Sequence, residues 1–168
     1  MAANASQILD HLQIQQKINR IAYQIYEDNY DQDKIIMAGI ASNGYELAKI
    51  LKKQIEKISP LEVVLEEVLL NKKNPINSKV ELQLTDEELK NQSIILVDDV
   101  LNSGRTMMYG LQLFLKVQVK KLSTAVLVNR SHKRFPVNAN YVGMSLATTL
   151  KEHIEVSLEK GKYAAFLS

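Results

Sequence analysis

Residues 93–110, SIILVDDVLNSGRTMMYG, join an apolar run, two adjacent carboxylates and a loop of hydroxyls and glycine without interruption. Ile94, Ile95, Leu96 and Val97 leave no polar face, which requires a strand covered on both sides, as in a parallel sheet flanked by helices. Sheets of that kind bind ligands beyond the carboxyl ends of their strands. Asp98 and Asp99 stand there, able to accept hydrogen bonds from vicinal hydroxyls or to help hold a hydrated divalent cation. Ser103, Gly104, Arg105 and Thr106 follow at the predicted start of a helix and offer backbone N–H groups and hydroxyls to an anion. An acid pair beside a phosphate nest matches a phosphorylated ribose. The plainer alternative is that Asn102 or Ser103 does no more than cap a helix.

The remaining composition narrows the chemistry. The absence of cysteine excludes disulfides, thiolate metal sites and cysteine nucleophiles, and three scattered histidines do not form a zinc cluster. Oxygen ligands remain, so a catalytic metal is expected to be a hard ion such as Mg²⁺. A net charge of +2 neither demands nor forbids nucleic acid. The start, MAANASQILDHLQ, lacks a basic end followed by a long apolar run, and no stretch is long enough to span a bilayer. The expectation is a cytoplasmic protein without membrane contact, with residues 1–168 forming one domain.

Taken in order, Ile14, Ile18, Ile21 and Ile25 lie on one face of a helix running from about Ser6, its expected cap, to Asn29. Ile35 to Ile40 predicts a second buried strand, which passes through Ser42-Asn43-Gly44 into a helix carrying Leu47, Ala48, Ile50 and Leu51. Two such strand–loop–helix units on one sheet edge can bind two anionic groups. Leu61 to Leu70 and Val80 to Leu84 read as strands joined by the polar, basic loop Asn71 to Lys79, a β-arm with a mobile tip. Thr85 to Glu88 forms a capping box. Met107, Met108, Leu111 and Leu115 give the helix after the central strand its apolar face. Leu122 to Val128 is a third buried strand, Asn140 to Gly143 a short one, and His153 to Leu158 an alternating one, while GKYAAFLS reads as a surface tail.

The stretch ILVDDVLNSGRT resembles the phosphoribosyl-diphosphate signature of type I phosphoribosyltransferases. VDDVL followed by GRT, together with VLVNRSHKRFPVNANYVG, is most similar to the branch of bifunctional pyrimidine-operon regulators and uracil phosphoribosyltransferases. The resemblance runs from about Ile8 to Val156. It implies an α/β fold with a parallel sheet of about five strands flanked by helices, and a small hood made by the chain ends and the arm.

The same resemblance implies roles. Asp98 and Asp99 would hold the ribose hydroxyls, and Mg²⁺ through water or substrate. Ser103, Gly104, Arg105 and Thr106 would anchor the 5-phosphate, with Asn102 standing where an aromatic residue is usual. Ser42, Asn43 and Gly44 would receive the diphosphate, although Thr-Arg is common where Ser42-Asn43 stands. Lys72 and Lys73 belong to a loop that closes over the site in the family. Tyr141, Val142 and Gly143 would hold the base through backbone groups, and Met144 and Ser145 replace the usual lysine and polar residue.

The implied reaction is transfer of ribosyl 5-phosphate from phosphoribosyl diphosphate to a nucleobase, with uracil expected and a purine base as the alternative. A homodimer or larger assembly is implied as well. Arg130, with His132, Lys133 and Arg134, forms the densest basic cluster and could face a substrate phosphate, solvent or RNA. The RNA option corresponds to a nucleotide-sensing transcription attenuator, and a small net charge favours solvent or the rim of the site.

Overall fold

The computed structural model describes residues 5–168. Its centre is a sheet of five parallel strands, β2 (Lys34–Ile40), β3 (Glu62–Val68), β4 (Ser93–Leu101), β5 (Lys121–Arg130) and β6 (Tyr141–Leu146), in the order β3-β2-β4-β5-β6. The apolar run at Ile94 thus lies in the central strand, as its composition requires. Alternation divides its side chains between two cores. Ile95 and Val97 join Ile35, Met37, Ala125 and Leu127 beneath helices α1 (His11–Glu27) and α2 (Asn43–Ile58). Ile94 and Leu96 join Ile36, Ala38, Ile40 and Val126 on the opposite face, covered by the short helices α3 (Asp86–Leu89) and α4 (Arg105–Leu111). Full burial of each Ile, Val, Leu or Met among them contributes about 1.5–3 kcal/mol against chain entropy.

A smaller antiparallel sheet, β1 (Ser6–Leu9), β8 (Ala164–Leu167) and β7 (Ile154–Ser157), joins the two ends of the chain into a hood. This revises two expectations. Ser6 does not cap the first helix, because residues 6–9 pair with the C-terminal strand; Asp10 is the cap, in a capping box with Gln13. The stretch GKYAAFLS is not a loose surface tail either, since β8 lies between β1 and β7 with Ala165 fully buried. Both errors have one cause, a partner strand more than 150 positions away that local periodicity cannot register.

Two further differences concern the site's surroundings. The expected arm is reduced to a single antiparallel bridge between Leu69 and Glu81, and Val80 to Leu84 form no strand. The segment Glu62–Val68 is instead the edge strand of the main sheet, paired in parallel with β2. Helix α4 ends at Leu111, where hydrogen bonds from Leu113 to Gly110 and from Phe114 to Leu111 tighten the chain. The tightening rotates Phe114 into the core and leaves Leu115 74 % exposed, so Leu115 is not part of the apolar face.

Candidate functional site

The carboxyl end of β4 opens onto a cleft lined by Lys72 and by the continuous run Asp98 to Met107. The central strand continues past its apolar run through the acids to Leu101, so Asp98 and Asp99 are held by the sheet rather than by a loop. Asp98 is buried, and its carboxylate accepts hydrogen bonds from the Asp99 backbone N–H at 3.0 Å and from Lys72 Nζ at 3.0 Å. Burial pushes the Asp98 carboxyl up to about 7; the Lys72 ammonium opposes the shift and the neighbouring Asp99 adds to it.

Lys72 reaches the acid because its loop is closed locally. The Asn71 side chain accepts from the backbone N–H groups of Lys73 and Asn74, and the Leu69–Glu81 bridge joins the two ends of the segment. The basic loop was legible in the sequence; the carboxylate it meets was not.

The loop after β4 is built around Gly104, whose φ of 85° lies in the left-handed region. A Cβ there would stand 2.5 Å from Val137 Cγ1, so both backbone conformation and space require glycine. The Ser103 carbonyl accepts from the backbone N–H groups of Arg134 and Phe135, which pins the loop to the segment after β5. Gly104 is the residue at the helix start, so neither Asn102 nor Ser103 is the N-cap; the Ser103 hydroxyl instead accepts a long bond from the Arg105 N–H. The side chains of Asn102, Ser103, Arg105 and Thr106 therefore line the cleft without serving as helix caps.

The second loop joins the first. Ser42 precedes α2 and makes no side-chain cap bond. Asn43 Nδ2 donates to Asp99 Oδ2 at 3.0 Å and to the Val156 carbonyl of the hood at 2.9 Å. Gly44 lies against the central strand, where a Cβ would stand 2.7 Å from the Val97 carbonyl oxygen and 2.9 Å from Asp98 Cα. Sequence reasoning placed both loops at one sheet edge; nothing in the sequence pairs Asn43 with Asp99, 56 positions on.

Arg130, Tyr141 and Val142, like Ser42, Asn43 and Gly44 of the second loop, are not among the residues lining this cleft. Arg130 is buried, and its guanidinium donates to the Thr148 hydroxyl and the Thr149 carbonyl. The Tyr141 hydroxyl donates to Asp28 Oδ2 at 2.8 Å, and burial holds that phenol above its ordinary range. The Val142 and Gly143 carbonyls accept from Arg20 Nη2 of α1. Val142 is level with Val126 and hence with Asp98, two strands away, or about 10 Å at ordinary strand spacing. Within the basic cluster, Lys133 Nζ donates to the Arg130 and Leu101 carbonyls and to Asn129 Oδ1, and burial lowers its pKa.

The arrangement offers a carboxylate pair for hydroxyls, a nest for a phosphate and an ammonium group at its mouth. Among the described residues, no group of three or more His, Cys, Asp or Glu side chains is placed to hold a metal. Two carboxylates suit a cation that arrives already liganded by a substrate.

Comparison with known proteins agrees with this geometry. The phosphoribosyl transferase domain family matches residues 4–160. A Haemophilus ducreyi protein named bifunctional protein PyrR is 34 % identical over 162 residues, covering 90 % of this chain and 89 % of that one. Its namesake from Streptococcus thermophilus is 33 % identical over 152 residues, covering 89 % and 88 %. Among solved structures, a hypoxanthine-guanine phosphoribosyltransferase from Bacillus anthracis superposes with a TM-score of 0.70 at 21 % identity, over 83 % of this chain and 81 % of that one. A hypoxanthine phosphoribosyltransferase from Trypanosoma cruzi does so with a TM-score of 0.76 at 15 % identity, over 89 % and 76 %. At such identities the structural likeness is one of fold.

Proposed function

Because the chain belongs to the phosphoribosyl transferase domain family, we propose that it moves ribosyl 5-phosphate from phosphoribosyl diphosphate to a nucleobase nitrogen, with uracil as the acceptor. The observation that carries this reading is that Asp98, Asp99, the 102–106 loop and Lys72 meet in one cleft. In the reaction the bond from ribose C1 to the diphosphate oxygen breaks, a C1–N bond forms, and the acceptor nitrogen loses its proton. Positive charge grows on the ribose ring and negative charge on the departing diphosphate.

The roles follow from the chemistry of the groups. Asp98 and Asp99 accept hydrogen bonds from the ribose 2- and 3-hydroxyls and favour positive charge on the ring. The Ser103 and Thr106 hydroxyls and the 104–106 backbone N–H groups hold the 5-phosphate, with Arg105 supplying a cation and Asn102 walling the cleft. Ser42 and Gly44 lie on the diphosphate side. Mg²⁺ bound with the diphosphate would neutralise the leaving group, with Asp98 and Asp99 as the carboxylates that would help hold it through water or substrate. Lys72 exchanges its bond with Asp98 for the incoming substrate and faces the growing negative charge. Most of the rate enhancement is then positioning and electrostatics.

This reading takes the chain as one catalytic domain acting in the cytoplasm, assembled from two or more copies; no helix among the described residues is long and apolar enough to cross a membrane. On this reading the base lies beside Tyr141–Gly143 at the start of β6, level with Asp98 two strands away. The test is diphosphate release from phosphoribosyl diphosphate and Mg²⁺ with uracil, hypoxanthine, guanine, adenine, xanthine and orotate in turn. Turnover with uracil is expected. Turnover with a purine alone corrects the acceptor, and silence with every base while phosphoribosyl diphosphate still binds refutes the transferase reading.

A second reading, a nucleotide-sensing RNA-binding attenuator, is supported by the word bifunctional in the relatives' names and by the exposed Arg134. Arg130 and Lys133 do not add to it, since both side chains bond within the fold. Gel-shift binding to a pyrimidine-operon leader, strengthened by uridine monophosphate and lost steeply with salt, tests it.

A further inference from the structure

We propose that Asn43 is a positioning residue for Asp99 and not a ligand of the diphosphate. The inference rests on the transferase reading and assigns one residue of its site a role different from that implied by its place in the loop.

The side-chain amide of Asn43 has two N–H hydrogens and one carbonyl oxygen. Both neighbours of its nitrogen are acceptors only, a carboxylate oxygen of Asp99 at 3.0 Å and the main-chain carbonyl of Val156 at 2.9 Å. Neither can donate, so the amide nitrogen must face them, and chemistry alone settles which way the amide points. Both hydrogens are then engaged. What remains is the Oδ1 lone pairs, which repel an anion. The side chain in this state offers no donor to a diphosphate, although its loop lies on that side of the ribose.

What the amide does instead is join three elements. Asn43 begins α2, Asp99 lies near the carboxyl end of β4, and Val156 belongs to β7 of the hood. A charge-assisted bond to Oδ2 fixes the rotation of the Asp99 carboxylate, leaving Oδ1 as the oxygen free to meet a ribose hydroxyl. The bond to Val156 keeps the amide itself from rotating, so the hood helps to set the direction of an acid it does not contain. Gly44 supports the arrangement by letting the start of α2 approach the Asp98 backbone closely.

The experiment is steady-state kinetics of the full chain with Asn43→Ala, Asp99→Asn and the double variant, combined with calorimetric titration of each with magnesium diphosphate. A residue acting through Asp99 lowers kcat about tenfold in Asn43→Ala with KM for phosphoribosyl diphosphate within about twofold, and the double variant falls no further than Asp99→Asn alone. The affinity for magnesium diphosphate stays within about twofold. A loss of about tenfold or more in that affinity, a raised KM with kcat intact, or multiplicative losses in the double variant would overturn the proposal. Failure of the wild-type protein to turn over any base refutes the transferase reading separately, and the diphosphate titration then still decides whether Asn43 is a ligand. If Asn43→Ala does not fold, Asn43→Ser, which keeps one donor, takes its place in the same comparison.

Discussion

Lys72 Nζ lies 3.0 Å from Asp98 Oδ1, joining a half-exposed loop lysine to a carboxyl that is almost wholly buried at the end of the central strand. The pair sets how the site responds to pH. Burial raises the Asp98 carboxyl from 3.8 to about 7, so between those values the folded protein holds a proton that the unfolded chain releases. The associated stability is complete below the unfolded value, falls as pH rises, and is gone above about 7. Asp98→Asn removes this dependence. Urea melts of the ligand-free protein should show the variant gaining on the wild type between pH 4 and pH 7.5, by an amount on the order of 1 kcal/mol or more. Lys72→Met removes the opposing cation, pushes Asp98 higher, and should extend the loss to higher pH instead.

Asp99→Asn keeps shape and hydrogen-bonding reach but removes a charge that the mechanism places beside a developing cation. Turnover should fall on the order of 10²-fold, with KM for phosphoribosyl diphosphate changing much less. Steady-state kinetics across donor concentrations separates the two constants; an unchanged kcat would remove Asp99 from the reaction.

Thr106 lies in the phosphate nest, and Thr106→Val replaces its hydroxyl with a methyl of similar volume. On the proposed reading the nest holds a group of the substrate that does not itself react, so the effect should fall on binding. An increase of about tenfold in KM for phosphoribosyl diphosphate is expected, with thermal stability changed little because the side chain lines the cleft rather than the core.

Most of the frame could be read from the chain because its signals are local. The apolar runs at Ile35 and Ile94 need cover on both faces and so report parallel strands wherever they occur, and the DD–SGRT order reports a sheet edge with a loop beyond it. The hood could not be read in the same way: Ser6–Leu9 and Ala164–Leu167 are short segments whose strand character depends on each other. Within the site the same division holds. Gly104 and its neighbours announce a nest by residue type, whereas the pairings Lys72–Asp98 and Asn43–Asp99 are products of the tertiary fold. Arg130 shows the converse, a charge conspicuous in sequence whose guanidinium meets Thr148 and Thr149.

Gly44→Ala tests whether the two loops must touch. A Cβ at this position would stand 2.7 Å from the Val97 carbonyl oxygen and 2.9 Å from Asp98 Cα, both backbone atoms of the central strand. Neither can move as a flexible side chain would, because β4 is hydrogen-bonded to neighbours on both sides. Helix α2 must therefore shift outward, and with it Asn43, whose bonds to Asp99 and Val156 lengthen. Stability should fall by about 1–3 kcal/mol, the usual range for overpacking. Turnover should fall more than that loss alone explains, because the displacement acts on the carboxylate that the proposed mechanism sets beside the ribose. Measuring kcat well below the melting temperature, with the fraction folded checked by circular dichroism, separates the effects: full activity in the folded fraction would show that the acid pair does not depend on the approach of α2.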